Sequence, residues 1–244
     1  MRRRFFVDKF DAGRAELRGE AAEHLGRVLR AEPGQLYELS DGETIWLARV
    51  ESIATGRSRG AAIEFALIEP IAAAESELKI RLLLSVVKFD RLEWCLEKAT
   101  ELGVAEIVPV AAARSEKPLI LAANKRAERW RKILVESAQQ ARRLRPPVLL
   151  PISIPEAAFA EAGAAIKILL SERPDAPAIR EILNGAVARE ACIAIGPEGG
   201  WTDAEFSAAA KNGFREASLG REILRTETAV IAALAIARYA LGNA

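Results

Sequence analysis

The pentapeptide GPEGG at residues 196–200 is the most informative stretch of this chain, because it joins a short apolar run to the start of a helix. The apolar run covers residues 191–195 and predicts a buried strand. Glycine lets the main chain adopt positive φ or approach a ligand closely, and Pro197 stiffens the entry to the turn. A second glycine-bearing loop, LGREILRTETA at residues 219–229, lies between another strand-like run and a C-terminal helix. Two such loops at the ends of adjacent strands predict a ligand crevice.

Strand-like runs alternate with helical patterns from residue 77 onwards, which predicts an α/β fold with a mostly parallel sheet covered by helices. The capping patterns of Asp90 with Glu93 and of Thr202 with Glu205 are expected to open two of the helices. The predicted strands are 79–87, 105–110, 166–170, 191–195 and 214–218, and the predicted helices include 90–102, 123–144 and 226–239.

The first 72 residues have a different pattern, in which short β-type runs are separated by turn signals. One helix is expected at 20–30, and Asp41-Gly42 predicts a hairpin turn. These pieces suggest a small barrel with a single helix, followed by a linker at 69–70 and 72–76. We therefore predict two domains, 1–72 and 73–244. The β-type runs are 3–7, 35–40, 44–51 and 61–68.

Composition excludes several classes of protein. The chain has 244 residues, of which 50% are hydrophobic and 28% charged, and this balance indicates a soluble globular protein. No apolar stretch is long enough to span a bilayer, and no apolar region follows the basic N-terminus, so we expect neither membrane association nor a signal peptide but a cytoplasmic location. Cys95 and Cys192 are expected to be reduced core residues. With one histidine, His24, and no cysteine cluster, no metal site is expected.

Charge is segregated along the chain although the formal net charge is only +1. Residues 114–145 contain ten basic and three acidic side chains. This excess predicts a polyanion-binding face, and a solvated helix face is the alternative. Neither the P-loop pattern nor the dinucleotide pattern G-x-G-x-x-G is present, which argues against a nucleotide-cofactor oxidoreductase.

Both loops of the crevice carry features expected of an anion site. Thr202 begins a helix whose free N–H groups attract anions, although a tight turn without a ligand is the alternative. Arg225 stands at a helix N-terminus, where a cation meets the positive end of the dipole, and a nearby anion explains this better than capping does. Trp94, Trp130 and Trp201 fall at core-like positions, and base stacking is the alternative for each.

Taken together, the two loops resemble the ribosomal RNA small-subunit methyltransferase E family, which belongs to the SPOUT superfamily of knotted, S-adenosylmethionine-dependent RNA methyltransferases. Further segments similar to that family follow in order along the chain. Ala141 stands where the family often has serine or cysteine, and Arg142 where glycine is common, which bears on the RNA-facing loop but leaves the reaction class intact. The additional matching segments are HLGRVLR at 24–30, KATELGV at 98–104, Arg114-Ser115, and Gln140-Ala141 with Arg143.

The resemblance implies a PUA-like N-terminal β-barrel, a C-terminal domain with a trefoil knot, and a homodimer. It also implies that S-adenosyl-L-methionine is the cofactor and that the product is N3-methyluridine in 16S rRNA of the small ribosomal subunit, a step of ribosome biogenesis. Two alternatives stay open: methylation of another RNA position such as a ribose 2′-hydroxyl, and a noncatalytic ribosome-assembly factor with the same fold.

The resemblance further implies roles for particular residues. Arg114 and Arg225 are candidate catalytic residues that would stabilise negative charge on the base, with Arg143 as the third option. Glu198 is a candidate proton acceptor, or a structural residue that closes its loop. The residues expected to bind the cofactor are Leu170, Ser171, Glu172, Gly196, Pro197, Glu198, Gly199, Gly200, Leu219, Gly220, Ile223, Leu224 and Thr226. The residues expected to contact RNA phosphates are Arg27, Arg30, Arg126, Arg129, Arg142, Arg143 and Arg145.

Overall fold

The computed structural model describes residues 3–56, 60–73 and 77–242 and divides into two compact units. The first unit comprises Met1–Glu75 together with Ala138–Pro146, and the second comprises Ser76–Ser137 and Pro147–Ala244. The sequence predicts the segment 138–146 inside the second domain, whereas it packs with the first unit. Positions 74–76 of the predicted linker lie outside the described residues.

The first unit is a curled mixed sheet. In the strand order β1-β4-β5-β6-β3-β2, β1 pairs with β4 in parallel and the other pairs are antiparallel. Register shifts along the long β5–β6 pair bend the sheet around a core that includes Phe5, Leu39 and Phe65. Within the described residues the strands are β1 (Arg4–Phe6), β2 (Phe10–Asp11), β3 (Arg14–Arg18), β4 (Leu36–Ser40), β5 (Ile45–Gly56) and β6 (Gly60–Ile71).

Three predictions for the first unit have different outcomes. The hairpin turn is confirmed, because Asp41 Oδ1 accepts hydrogen bonds from the main-chain N–H groups of Glu43 and Thr44 at 2.9 and 2.8 Å, between β4 and β5. The linker at 69–70 is wrong, since both residues lie in β6 and pair with β5. The helix predicted at 20–30 is instead α1 (Gly19–Glu23) continuing into a π-helical turn, His24–Val28.

Segment 138–146 is held in the first unit by polar contacts to β1 and β4. The Ser40 hydroxyl donates to the Leu144 carbonyl oxygen at 2.6 Å, and the Arg4 guanidinium donates to the carbonyl oxygen of Arg142. Arg4 also forms a buried ion pair with Glu38 at 2.8 Å. These bonds join residues far apart in sequence, so no local pattern predicts them.

The second unit is a six-stranded parallel sheet in the order β12-β10-β11-β7-β8-β9, which confirms the predicted α/β class. Its strands are β7 (Lys79–Ser85), β8 (Glu106–Val110), β9 (Val148–Leu149), β10 (Ile166–Leu170), β11 (Glu190–Ile195) and β12 (Arg215–Ala217). Its helices are α2 (Phe89–Glu101), α3 (Lys117–Gln140), of which 138–140 belong to the first unit, α4 (Pro155–Ala160), α5 (Ile179–Leu183), α6 (Asp203–Lys211) and α7 (Thr226–Leu241).

Helices cover both faces of this sheet, because alternate strand residues enter two separate cores. On β7, Leu82 and Leu84 pack in a core with α2, α3, α5 and α7. Leu83 packs in the opposite core with α4 and α6. Each core also contains one cysteine, and burial raises the pKa of the Cys95 and Cys192 thiols to about 12. None of the helices described here is both long enough and apolar enough to cross a bilayer.

The two predicted capping boxes have different outcomes. The Thr202–Glu205 box is confirmed, with both reciprocal hydrogen bonds present at the start of α6. The Asp90–Glu93 box is wrong: α2 begins one residue earlier at Phe89, and no side chain caps it. Glu93 instead accepts two hydrogen bonds from Arg129, both 2.8 Å long. The Glu93 carboxylate therefore binds an arginine of α3 instead of capping α2.

The three tryptophans at core-like positions also differ in burial. Trp130 and Trp201 are buried, as their positions predict, but Trp94 is 41% exposed. Trp94 lies on the solvent side of α2, where Lys98 stands over its ring.

Candidate active site

Three loops meet at one edge of the parallel sheet, where β12, β10 and β11 end side by side. The loop after β10 begins at Ser171, the loop after β11 is GPEGG, and the loop after β12 begins at Ser218. In open α/β sheets the crevice outside the carboxyl ends of the strands is the usual ligand site. Here the three loops enclose a cavity of about 480 Å³, within the ordinary size range of small-molecule sites.

The cavity brings together the predicted cofactor residues. All thirteen line it except Gly199, which lines a neighbouring cavity instead. The three predicted catalytic residues, Arg114, Arg225 and Glu198, also line it. Apolar walls come from Leu170, Ile195, Leu219, Ile223 and Leu224, and carboxylates from Glu172, Glu198, Asp203 and Glu222.

Two glycines are required by the shape of the GPEGG loop. Gly200 has a φ of +68°, and a Cβ there would lie 2.6 Å from Glu172 Oε1. A Cβ at Gly196 would lie 3.1 Å from Nε1 of the buried Trp201 indole. Side chains at these positions would therefore displace the cavity wall, which explains why small residues are used here.

Trp201 and Glu205 support the cavity, although sequence reasoning assigned them no part in it. The Trp201 indole N–H donates to the Leu170 carbonyl oxygen at 3.2 Å and so connects the GPEGG loop to the end of β10. Its ring also packs edge-on against Phe159, with the ring centroids 5.7 Å apart. The signal for Trp201 is its position directly after Gly200, the last residue of GPEGG.

Glu205 is 3% exposed and serves two segments at once. One carboxylate oxygen accepts hydrogen bonds from the N–H and hydroxyl of Thr202 at 2.7 and 2.8 Å. The other accepts the main-chain N–H of Ala113 at 2.8 Å. Ala113 immediately precedes Arg114, so this carboxylate fixes the segment that carries a candidate catalytic arginine. The capping pattern predicted only the first of these roles.

The candidate catalytic residues differ in how firmly they are held. Arg114 donates to the Gly199 carbonyl oxygen at 2.7 Å, which places its guanidinium against the GPEGG loop. Glu198 is already paired with Arg91 of α2 at 2.9 Å. Arg225 is exposed at the N-cap of α7 and makes no ion pair within the described part of the chain. Glu227, two residues further along the chain, is not in the cavity wall.

The predicted RNA contacts fall in both units. In the second unit, Arg129 is committed to Glu93, and Arg126 lies over the Phe89 ring and 3.6 Å from the same carboxylate. In the first unit, Arg27 pairs with Glu23 at 2.5 Å, and Arg142 lies 3.7 Å from Glu38. Arg30 is exposed and has a positive φ of 52°. Arg143 is half-buried and Arg145 exposed, and both belong to segment 138–146.

No candidate metal centre is found among the described residues. Within residues 3–56, 60–73 and 77–242, no group of three or more His, Cys, Asp or Glu side chains is arranged to hold a metal ion. The lone histidine, His24, is exposed in the π-helical turn.

Comparison with known proteins identifies the class. Residues 74–238, which contain the whole parallel sheet and the cavity, match the family model described as the RNA methyltransferase domain. The chain is 32% identical over 217 residues to ribosomal RNA small subunit methyltransferase E of Synechocystis, covering 87% of this chain and 68% of that protein. It is 31% identical over 243 residues to the protein of the same name from Mycobacterium bovis, covering 94% and 88% of the two chains.

A solved structure agrees with these relatives. The crystal structure of a ribosomal RNA small subunit methyltransferase E from Neisseria gonorrhoeae bound to S-adenosyl methionine superposes with a TM-score of 0.87, at 30% identity and 99% coverage of both chains. The chain therefore belongs to the ribosomal RNA small subunit methyltransferase E family, as its loop motifs predict.

Proposed function

We propose that this protein methylates N3 of a specific uridine in 16S rRNA, with S-adenosyl-L-methionine as the methyl donor. The observation that carries the proposal is the cavity at the ends of β10, β11 and β12. The predicted donor loops, Arg114 and Arg225 all line this cavity. A family member from Neisseria gonorrhoeae was solved with the same cofactor bound.

The chemistry of the cavity fits this donor. Its apolar side chains suit an adenine ring, and its four carboxylates suit a ligand that carries a sulfonium and an ammonium group. Arg173 and Arg221 also line it and offer partners for the donor's carboxylate. When bound, S-adenosylmethionine supplies a methyl group already activated by its positive sulfur, so the protein has to position the acceptor and manage its proton.

Arginine has a defined task in such a site. N3 of uracil is a weakly acidic imide nitrogen, and it becomes a good nucleophile only when its proton leaves. Arg114 and Arg225, which both line the cavity, would stabilise the negative charge that then spreads over the base oxygens. Because Arg114 is held by the Gly199 carbonyl, its charge is oriented before substrate arrives. Glu198 acts as proton acceptor only if its pair with Arg91 opens.

The acceptor uridine has to be unpaired or flipped out, because base pairing hides N3. The proposed phosphate contacts are Arg126 and Arg129 in the second unit, and Arg27, Arg30, Arg142, Arg143 and Arg145 in the first. The curled sheet of the first unit is proposed to be a PUA-like barrel that also grips RNA. The small ribosomal subunit would then be the partner, in the cytoplasm.

A trefoil knot is proposed for the second unit. The chain that follows β10 hydrogen-bonds to β12 on both sides of Pro177: Ser171 N–H donates to Ala217 O, and Ile179 N–H to Ser218 O, each at 2.9 Å. The chain leaves β12 beside this segment and returns to pack α7 against α2. Passage of the C-terminal segment through the loop at 171–178 would tie the knot.

A homodimer is proposed as well. The outer side of α7 carries Thr228, Ala235 and Tyr239, and Tyr239 is 91% exposed. Small residues there would let a second copy approach closely. Size-exclusion chromatography with light scattering would test the dimer.

The decisive experiment incubates purified protein, labelled donor and small subunits that lack the modification, and then maps the methyl group by nucleoside mass spectrometry. We expect N3-methyluridine. A methylated ribose would support the alternative reaction, and donor binding without any product would support an assembly factor. Arg225→Ala should lower the methylation rate far more than donor affinity. Equal losses in both would instead indicate a structural role.

A further inference from the structure

A second cavity of about 320 Å³ adjoins the donor cavity in the second unit. It lies between the end of β7, the start of α2 and the residues around Arg114. Arg114 and Glu198 belong to the walls of both cavities. These two side chains therefore stand where a molecule in one cavity would meet a molecule in the other.

The walls of the second cavity suit one nucleotide. Leu119 is half-buried and provides apolar surface for a base, whereas the Val86 and Val87 side chains in the same wall are themselves buried. Lys88, Arg91 and Arg114 provide cations for a phosphate, and Glu116 and Glu198 are the carboxylates of the wall. Two of the cations are already committed, since Arg91 pairs with Glu198 and Arg114 donates to Gly199 O. Lys88 is exposed and makes no ion pair within the described residues. It also stands at the N-cap of α2, so the positive end of that helix reinforces its charge.

We propose that the second cavity holds the acceptor nucleotide of the RNA, and that Lys88 contacts its phosphate. This inference rests on the proposed function, because it assigns the partner site of the same transfer. The base enters beside Leu119, and its reactive edge reaches the boundary formed by Arg114 and Glu198. Arg91 is a positioning residue, because it acts by holding Glu198.

The test measures RNA binding without requiring catalysis. A short single-stranded oligoribonucleotide containing 4-thiouridine is titrated by fluorescence anisotropy at several salt concentrations, with S-adenosylhomocysteine present. Lys88→Ala should weaken binding several-fold and reduce the slope of log K against log salt by about 0.7, the value for one phosphate contact on a single strand. Lys88→Arg should restore both. Lys211→Ala, which removes an exposed lysine at the end of α6 away from both cavities, should bind like the wild type.

Cross-linking locates the bound base. Ultraviolet irradiation of the same complex should attach the 4-thiouridine to residues 86–91 or 114–119. Cross-links confined to other segments, wild-type affinity and slope in Lys88→Ala, or no binding of the oligonucleotide by the wild type would each overturn the proposal. Lys88-dependent binding without methyl transfer to 16S rRNA would instead refute the proposed function and leave the nucleotide subsite standing.

Discussion

Replacing Gly200 with alanine adds one methyl group at the most constrained point of the donor cavity. Its N–H closes the turn by donating to the Pro197 carbonyl oxygen at 2.8 Å, with φ at +68°. Left-handed backbone costs a non-glycine residue about 1–2 kcal/mol. The reduced entropy of the unfolded chain offsets about 0.4–1 kcal/mol of this. The net loss of unfolding free energy should therefore be about 1 kcal/mol.

The same methyl group also disturbs the wall of the cavity. The new Cβ would lie 2.6 Å from Glu172 Oε1, so the carboxylate has to swing away. Gly213→Ala is the matched control, because Gly213 has a similar φ of +80° but no atom within 4 Å of a Cβ. Both variants should lose similar stability in urea unfolding.

Donor binding should separate the two variants. Isothermal titration with S-adenosylmethionine should show roughly tenfold weaker binding for Gly200→Ala, or about 1.4 kcal/mol, and no change for Gly213→Ala. Wild-type affinity in Gly200→Ala would refute the assigned role of Glu172 in the wall. An equal loss of affinity in Gly213→Ala would show that strain anywhere in the unit is enough.

Three further predictions concern the supports of the site and the cores. Glu205→Ala removes a buried carboxylate that accepts three hydrogen bonds, so it should cost about 2–4 kcal/mol in urea unfolding and lower kcat. Trp201→Phe keeps the ring but loses the bond to the Leu170 carbonyl, and should cost about 0.5–1.5 kcal/mol in the same assay. The folded pKa of about 12 at Cys95 and Cys192 lies above the unfolded value near 9. Stability should thus fall between pH 9 and 12 by about 1.4 kcal/mol per pH unit for each thiol. When urea unfolding is repeated over this pH range, the unfolding free energy of the double alanine variant should fall less steeply with pH than that of the wild type.

The parallel sheet and the donor cavity could be predicted because their signals are local. The run before GPEGG is apolar over five residues, which is the length of a buried strand, and the glycines mark where main chain must bend or approach a ligand. The Thr202–Glu205 box succeeded for the same reason, since both partners lie within one helical turn.

Two of the predictions that failed involve partners distant in sequence. Glu93 fits a cap in the sequence, but Arg129, which is 36 residues away, binds its carboxylate. Segment 138–146 continues a long helix in the sequence, yet hydrogen bonds to Arg4 and Ser40 place it in the first unit. The second bond of Glu205, to Ala113, is equally non-local. A local pattern shows which residues can pair, and the tertiary fold decides which pairs form.

The donor cavity is formed mainly by main chain, and the proposed acceptor cavity mainly by charged side chains. This difference predicts how variants will behave. The donor cavity is shaped by main chain from three adjacent strand ends, so glycine substitutions and the loss of Trp201 should act on donor affinity. The neighbouring cavity presents charged side chains, so Lys88 and Arg91 variants should act on the acceptor. Arg114 and Glu198 belong to both walls, so their variants should alter the transfer step while both ligands still bind, as is also expected for Arg225→Ala.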